Sequence, residues 1–278
     1  MIKQLFEKIF KFYIESSLHV SVAVLSLLIV GEVSQFKIET SFNFKLLVFL
    51  ASITGYNFVK YATVAKLHHR SLTTSLKVIQ VFSLIAFLFF VYTLTQVNKD
   101  VILGLGGVAM LTLLYAVPVF SAKNLRSYGG LKIYMVAFCW SGMVTLLPII
   151  ASNSVACCDF IPRIILHFFQ VFVLVMALII PFDIRDLNYD KESLKTIPQI
   201  LGVTKAKNIA GVLVVFVWVI QVLNFGFYNA YAEIILAILG FLMIYLMPKK
   251  PSKYYCSFWI EALPIFYLGL KFFFEFVV

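Results

Sequence analysis

Three aspartates, Asp183, Asp186 and Asp190, fall within the short stretch Asp183-Ile-Arg-Asp186-Leu-Asn-Tyr-Asp190. Their spacing of three and four places all three on one face if the preceding helix continues through them. Carboxylates this close repel one another, and either a metal cation or a basic cluster relieves the repulsion. Hard oxygen donors at such spacing suit Mg2+, which keeps part of its water shell and commonly bridges to phosphate oxygens. The same residues also fit a solvated loop whose acids pair with Arg185, Lys191 and Lys195, and spacing alone does not choose between the two.

The elements that must carry this cluster are apolar helices. Of the 278 residues 62% are hydrophobic and 13% charged, against about 25% charged in a soluble domain. A water-soluble core of this size cannot bury that excess, so it faces lipid. Segments of roughly 20 mostly apolar residues are long enough to span. They occur at 78–98, 101–122, 133–158, 164–182 and 208–232, with shorter or flanked candidates near 18–35, 43–65, 234–248 and 254–277. The expected fold is therefore all-α, a polytopic membrane protein of nine transmembrane helices forming one domain over residues 1–278. At the N-terminus, Leu5, Phe6, Ile9, Phe10, Tyr13 and Ile14 make one stripe with Lys3, Lys8 and Lys11 largely off it. That pattern predicts an interfacial helix at about 3–16 rather than a signal peptide.

Loop charge sets the expected orientation. With the N-terminus cytosolic, only Lys37, Lys45, Lys99, Arg163 and Lys271 fall outside, leaving 18 of the 23 basic residues inside. This asymmetry follows the positive-inside rule and puts the C-terminus on the opposite side of a cell (inner) membrane. It also assigns the net charge of +10 to topology rather than to nucleic acid. The four cysteines, Cys139, Cys157, Cys158 and Cys256, form no Cys-x-x-Cys pair and point to neither zinc nor redox chemistry.

Downstream of the aspartates the chain reads Lys191-Glu-Ser-Leu-Lys195-Thr196-Ile-Pro198-Gln-Ile-Leu201-Gly202. The acidic run, then Lys-Thr, then Leu-Gly resembles the second aspartate-rich motif of the UbiA superfamily of intramembrane prenyltransferases. Tyr115-Ala-Val-Pro118-Val-Phe-Ser-Ala-Lys123, followed by Gly129-Gly130-Leu-Lys132, is similar to a second stretch of that family. The resemblance implies nine helices around a central cavity and transfer of a prenyl group from an isoprenoid diphosphate to an acceptor. It implies Asp183, Asp186 and Asp190 as the Mg2+ and diphosphate cluster, and Lys123 as a catalytic contact to diphosphate. From the residues alone, Lys123 reads better as an inner-loop charge that obeys topology.

The family's first motif, N-x-x-x-D-x-x-x-D, is degenerate here. Asn57 fits and would orient a ligand or water, but Tyr61 and Ala65 stand where the aspartates belong. No Asp or Glu occurs between Glu39 and Asp100; Lys60, Lys66, His68, His69 and Arg70 make this region basic instead. Lys60 and Arg70 are candidates for a metal-free diphosphate clamp, since basic side chains cradle phosphoryl oxygens. His68 and His69 diverge on a helix and lack further ligands, so they read as polar interface residues. Glu261 and Lys271 lie within the last span and Glu233 near an interface; Glu261 could line the pocket or snorkel toward water.

Two readings remain open: a UbiA-like transferase, modified by loss of the first acidic motif, or a silent UbiA-fold lipid-diphosphate binder or accessory membrane subunit. Acceptor and prenyl chain length cannot be read from the residues. If the protein is silent but otherwise intact, Tyr61→Asp with Ala65→Asp is expected to confer prenyl-diphosphate cleavage, measured as pyrophosphate release from membranes. Turnover by the unaltered chain would remove the silent reading.

Overall fold

The computed structural model describes residues 2–61, 74–117, 125, 128–152, 160–225, 230–248 and 250–277. Its regular elements among these residues are helical. In hydrocarbon, a helix satisfies every backbone donor and acceptor within its own segment. The apolar runs therefore become α2 (Leu18–Val30), α3 (Phe42–Tyr61), α4 (Thr74–Leu94), α5 (Lys99–Ala116), α6 (Leu131–Ser141), α8 (Phe160–Asp186), α10 (Val203–Phe225) and α12 (Leu263–Val277). Shorter pieces complete the chain: α1 (Ile2–Glu15), α7 (Leu147–Ala151), α9 (Ile197–Leu201) and α11 (Tyr231–Tyr245). Wider-wound π turns at Gly31–Phe36, Gly142–Leu146 and Tyr255–Ile260 extend α2, join α6 to α7 and lead into α12.

Eight of these segments are long and apolar enough to cross a membrane: Leu18–Phe36, Phe42–Tyr61, Leu76–Leu94, Lys99–Ala116, Leu131–Ala151, Ile161–Asp186, Val203–Leu223 and Tyr255–Phe274. The ninth apolar helix, α11, has 15 residues and is shorter than a standard span. The chain is thus a multi-pass membrane protein of the all-α class. Burial sorts the spans into inner and outer. Leu18–Phe36 and Leu131–Ala151 are each 61% buried, whereas Leu76–Leu94 and Lys99–Ala116 are 17% buried. Leu84, Leu88, Phe89 and Leu103 point outward on the latter pair, the face that lipid covers.

Neighbouring helices close a ring. α2 packs on α3, α3 on α5, α5 on α6, α6 on α8, α8 on α10, α10 on α11, α11 on α12, and α12 returns to α2, while α4 flanks α3. The ring is pinched shut toward one end. There the π turns after α2 and α6 both meet α8. Gly31 comes so close that a Cβ at that position would stand 2.9 Å from Nε2 of His167 and 3.6 Å from the Val144 carbonyl. Phe36 packs edge-on to the His167 ring at 5.2 Å. A cavity of about 20 Å³ beside this crossing is lined by Gln35, His167, Gln170, Gln221, Trp218 and Tyr267, among others, which is room for about one water. His167 and Asp183 sit near opposite ends of α8, about 24 Å apart at 1.5 Å per residue.

Charged side chains near the pinched end are paired. Lys271 reaches Glu233 at 2.5 Å, and the Tyr267 hydroxyl donates to the same carboxylate at 2.8 Å. Lys45 meets Glu32 at 3.0 Å, and Thr40 donates to Glu32 as well. Removing one partner of a buried pair strands the other charge and costs about 3 to 5 kcal/mol. Glu233→Ala is therefore expected to destabilise the protein by about 3 kcal/mol in unfolding measured in detergent, with Glu233→Leu plus Lys271→Leu recovering most of the loss.

Candidate functional site

The last turns of α8 bring the aspartates to the open end of the ring. The helix ends at Asp186, where the basic Arg185 lies in the final turn and answers the negative end of the helix dipole. The Tyr189 and Asp190 amides then close onto the Asp186 carbonyl at 2.8 and 2.9 Å. The three aspartates consequently do not act as one triad, contrary to the expectation from spacing, because the helix stops before Asp190 and Asp186 turns aside. Asp186 is held by Arg185 through two parallel bonds of 2.7 Å, and Arg185 also donates to Ser257 at 2.9 Å.

Asp183 and Asp190 instead converge on Lys132 of α6. Lys132 Nζ is 2.7 Å from Asp183 Oδ1 and 3.8 Å from Asp190 Oδ2. Asp183 is 2% exposed, and a carboxylate so enclosed needs a charged partner. Asp190 Oδ2 is buried and accepts no hydrogen bond. Tyr115 of α5 lies within electrostatic reach of Lys132.

Two segments singled out in the sequence make this convergence possible. Gly130, at φ +76°, opens α6, and its amide donates to the Leu194 carbonyl at 2.8 Å. A Cβ on Gly129 would stand 3.0 to 3.2 Å from the Lys195 side chain. The loop after α8 thus seats on the turn before α6 and holds Asp190 over Lys132. Gln199 fastens the far side, accepting from the Thr196 amide at 2.9 Å and donating to the Lys191 carbonyl at 3.2 Å.

The end of α3 has a different role from the one expected. Asn57 is buried; its Oδ1 accepts from Ser17, and its Nδ2 donates to the Ser16 carbonyl and to Ser83 of α4. The amide expected to orient a ligand therefore ties α4 to the corner between α1 and α2, where Ser17 takes a left-handed φ of 65°. Lys60 Nζ and the Tyr61 hydroxyl both donate to the Glu15 carbonyl, at 3.0 and 3.1 Å. Lys60 is thus moored to the end of α1 rather than extended as a free clamp. Arg70 and Lys123 lie outside the described residues, as do Ala65, Lys66, His68, His69, Cys157 and Cys158.

Sequence reasoning missed two residues. Lys132 was visible only as a loop charge near the Gly pair. Glu261, which the sequence left open between lining the pocket and snorkelling, is half-buried, with Lys60 and Arg185 within electrostatic reach. Tyr56 lies on the same wall, its hydroxyl accepting from Trp140 Nε1 at 2.5 Å.

No family model matches the sequence, and no curated protein matches it. Solved structures do. A UbiA homologue from Aeropyrum pernix K1 superposes with a TM-score of 0.64 at 15% identity, covering 93% of this chain and 98% of that one. The fold is the UbiA fold. A UbiA homologue from Archaeoglobus fulgidus, bound to GPP and Mg2+, gives a TM-score of 0.62 at 13% identity, covering 94% and 98%. A digeranylgeranylglyceryl phosphate synthase gives 0.54 at 18%, covering 96% of each chain. At these identities the likeness is one of fold.

Within this UbiA fold the donor set can be tested against Mg2+. Among the described residues, no three His, Cys, Asp or Glu side chains gather as a metal group. A pair does: Asp183 and Asp190 converge, and Asp190 retains one oxygen without a donor. One or two carboxylates plus phosphate oxygens and water are the usual set for Mg2+, so the pair fits one ion shared with a ligand. Without such a ligand, Lys132 carries the counter-charge. Lys132→Met is therefore expected to destabilise the metal-free protein by about 3 kcal/mol, and Mg2+ should raise the variant's melting temperature more than that of the unaltered chain. Equal stability with and without Lys132 would remove the pairing from the argument.

Proposed function

We propose that this chain is a UbiA-superfamily prenyltransferase that takes an isoprenoid diphosphate through the open, Asp183-bearing end of its ring and transfers the prenyl group to an acceptor. The observation that carries the reading is the Asp183–Lys132–Asp190 cluster, held by the seated 187–195 loop at one end of a UbiA-fold bundle. The basic-residue asymmetry supports a cytosolic position for that end, with the N-terminus inside.

A prenyl diphosphate is multiply anionic, and breaking its allylic C–O bond leaves the electron pair on the diphosphate. Cationic groups placed where that charge develops lower the barrier. Mg2+ held by Asp183 and Asp190, when bound, supplies part of this charge. The chain's own residues supply the rest: Lys132 stands between the two aspartates, and Arg185 is oriented by Asp186 and Ser257. Lys123 and Arg70 remain proposed diphosphate contacts on the strength of the sequence alone. The apolar interior of the ring excludes water and accommodates the prenyl tail. The related structure bound to GPP and Mg2+ makes GPP a suitable probe.

A second reading, a silent diphosphate binder, is favoured by one observation. Asn57, Lys60 and Tyr61 are committed to the Ser16–Ser17 corner and the Glu15 carbonyl, and α3 itself carries no carboxylate. Asp183→Ala is expected to abolish Mg2+-dependent pyrophosphate release from GPP by the full chain in membranes while leaving the protein inserted. Undiminished release by that variant would sink the transferase assignment; binding of GPP without release by the unaltered chain would establish the silent one.

A further inference from the structure

Asp183, Asp186, Asp190, Glu15 and Glu261 are the described carboxylates around the ends of α3, α8 and α1, and Glu15 is paired with Lys253 at 2.6 Å. Asp183 and Asp190 are drawn to Lys132, and Asp186 is locked by Arg185. Glu261 alone among them makes no hydrogen bond or ion pair with a described side chain. It lies where the π turn Tyr255–Ile260 passes into α12, and its amide donates to the Cys256 carbonyl at 3.1 Å. Ser257, four residues before it, accepts from Arg185 at 2.9 Å, which sets Glu261 beside the end of α8. The charged neighbours facing it are Lys60 from α3 and Arg185 from α8, and the phenol of Tyr56 lies on the same wall. Tyr56 and Lys60 are four residues apart on α3 and share one face.

An ionisable group inside a membrane bundle is costly and faces a cavity or a partner. Asp183, Asp186 and Asp190 have protein partners to justify that cost. Glu261 has an accessible surface and two cations near but not in contact, which leaves its oxygens available to a ligand. Lys60 and Arg185 beside it make a second metal ion at this spot unfavourable, while a protic group would be well received.

We propose that Glu261 accepts the proton of the prenyl acceptor. The inference rests on the transferase reading above and adds the residue that completes the reaction. The acceptor's nucleophilic atom forms a bond to C1 of the prenyl chain, and the C1–O bond to diphosphate breaks with its electron pair leaving on the diphosphate oxygen. The proton released from the acceptor goes to a Glu261 carboxylate oxygen. The acceptor class is therefore protic at the attacked position, bearing an O–H, an N–H or an activated aromatic C–H. Lys60, moored to the Glu15 carbonyl, and Arg185, moored to Asp186 and Ser257, keep their charges beside the carboxylate without closing on it.

The test uses full-length protein in native membranes, with radiolabelled GPP as donor and the membrane lipids as acceptor pool, and purified protein for GPP binding. Glu261→Gln is expected to bind GPP as the unaltered chain does and to lose lipid incorporation by about 100-fold, the scale of a positioned general base. Incorporation by E261Q at the unaltered rate overturns the proposal. If E261Q also loses GPP binding, Glu261→Ala with added formate decides: restored incorporation supports a proton acceptor, and none overturns it. If the unaltered chain binds GPP but incorporates nothing, the transferase reading falls and this one with it.

Discussion

A charge taken out of water must be answered by another charge, and in this bundle the answer comes from a different helix. Asp183 on α8 is met by Lys132 on α6, Glu233 on α11 by Lys271 on α12, and Glu32 after α2 by Lys45 on α3. Between hydrocarbon-rich helices, apolar burial gives little preference for one neighbour over another, because lipid tails are as apolar as leucine. The ionic pairs are specific where packing is permissive. They fix which helices adjoin in the ring and at what depth.

The same rule separates what the residues disclosed in advance from what they withheld. Long apolar runs identify spans because the bilayer demands length and backbone satisfaction together, so the all-α class and most of the helices were legible. Even α11, too short by itself, showed as an apolar run at 234–248. The position of the aspartates at a helix end was legible from the abrupt change at Asp183. Their partners were not. Lys132 and Asp183 are 51 residues apart in the chain, and nothing in the pattern around either names the other. Helix periodicity also failed across the break at Asp186, where two backbone bonds to one carbonyl turn the chain and send Asp186 and Asp190 in different directions. Glu261 was ambiguous because an amphipathic signal needs a polar face, and a lone carboxylate in an apolar helix gives none.

Tyr61 shows how the wall opposite the aspartates has been put to another use. Its hydroxyl and the Lys60 ammonium both hold the Glu15 carbonyl, and Asn57 holds Ser16 and Ser17 beside them. Lys253 adds an ion pair to the Glu15 side chain at 2.6 Å, and Phe10 packs on Tyr254 and Phe258. Together these side chains make the joint that fastens α1 across the ends of α3 and α12. Glu261, at the start of α12, lies beside this joint, with Lys60 within electrostatic reach.

The crossing of Gly31, Val144 and His167 bears on the membrane as a whole. A protein that keeps wetted charges inside a bilayer threatens to short-circuit the ion gradients that the bilayer exists to maintain. Here the His167 ring and the Val144 carbonyl close on a residue with no side chain to hold the helices apart. The neighbouring hole admits about one water molecule, too little for a continuous file. Among the described residues, this crossing separates the Asp183 end of the bundle from the other.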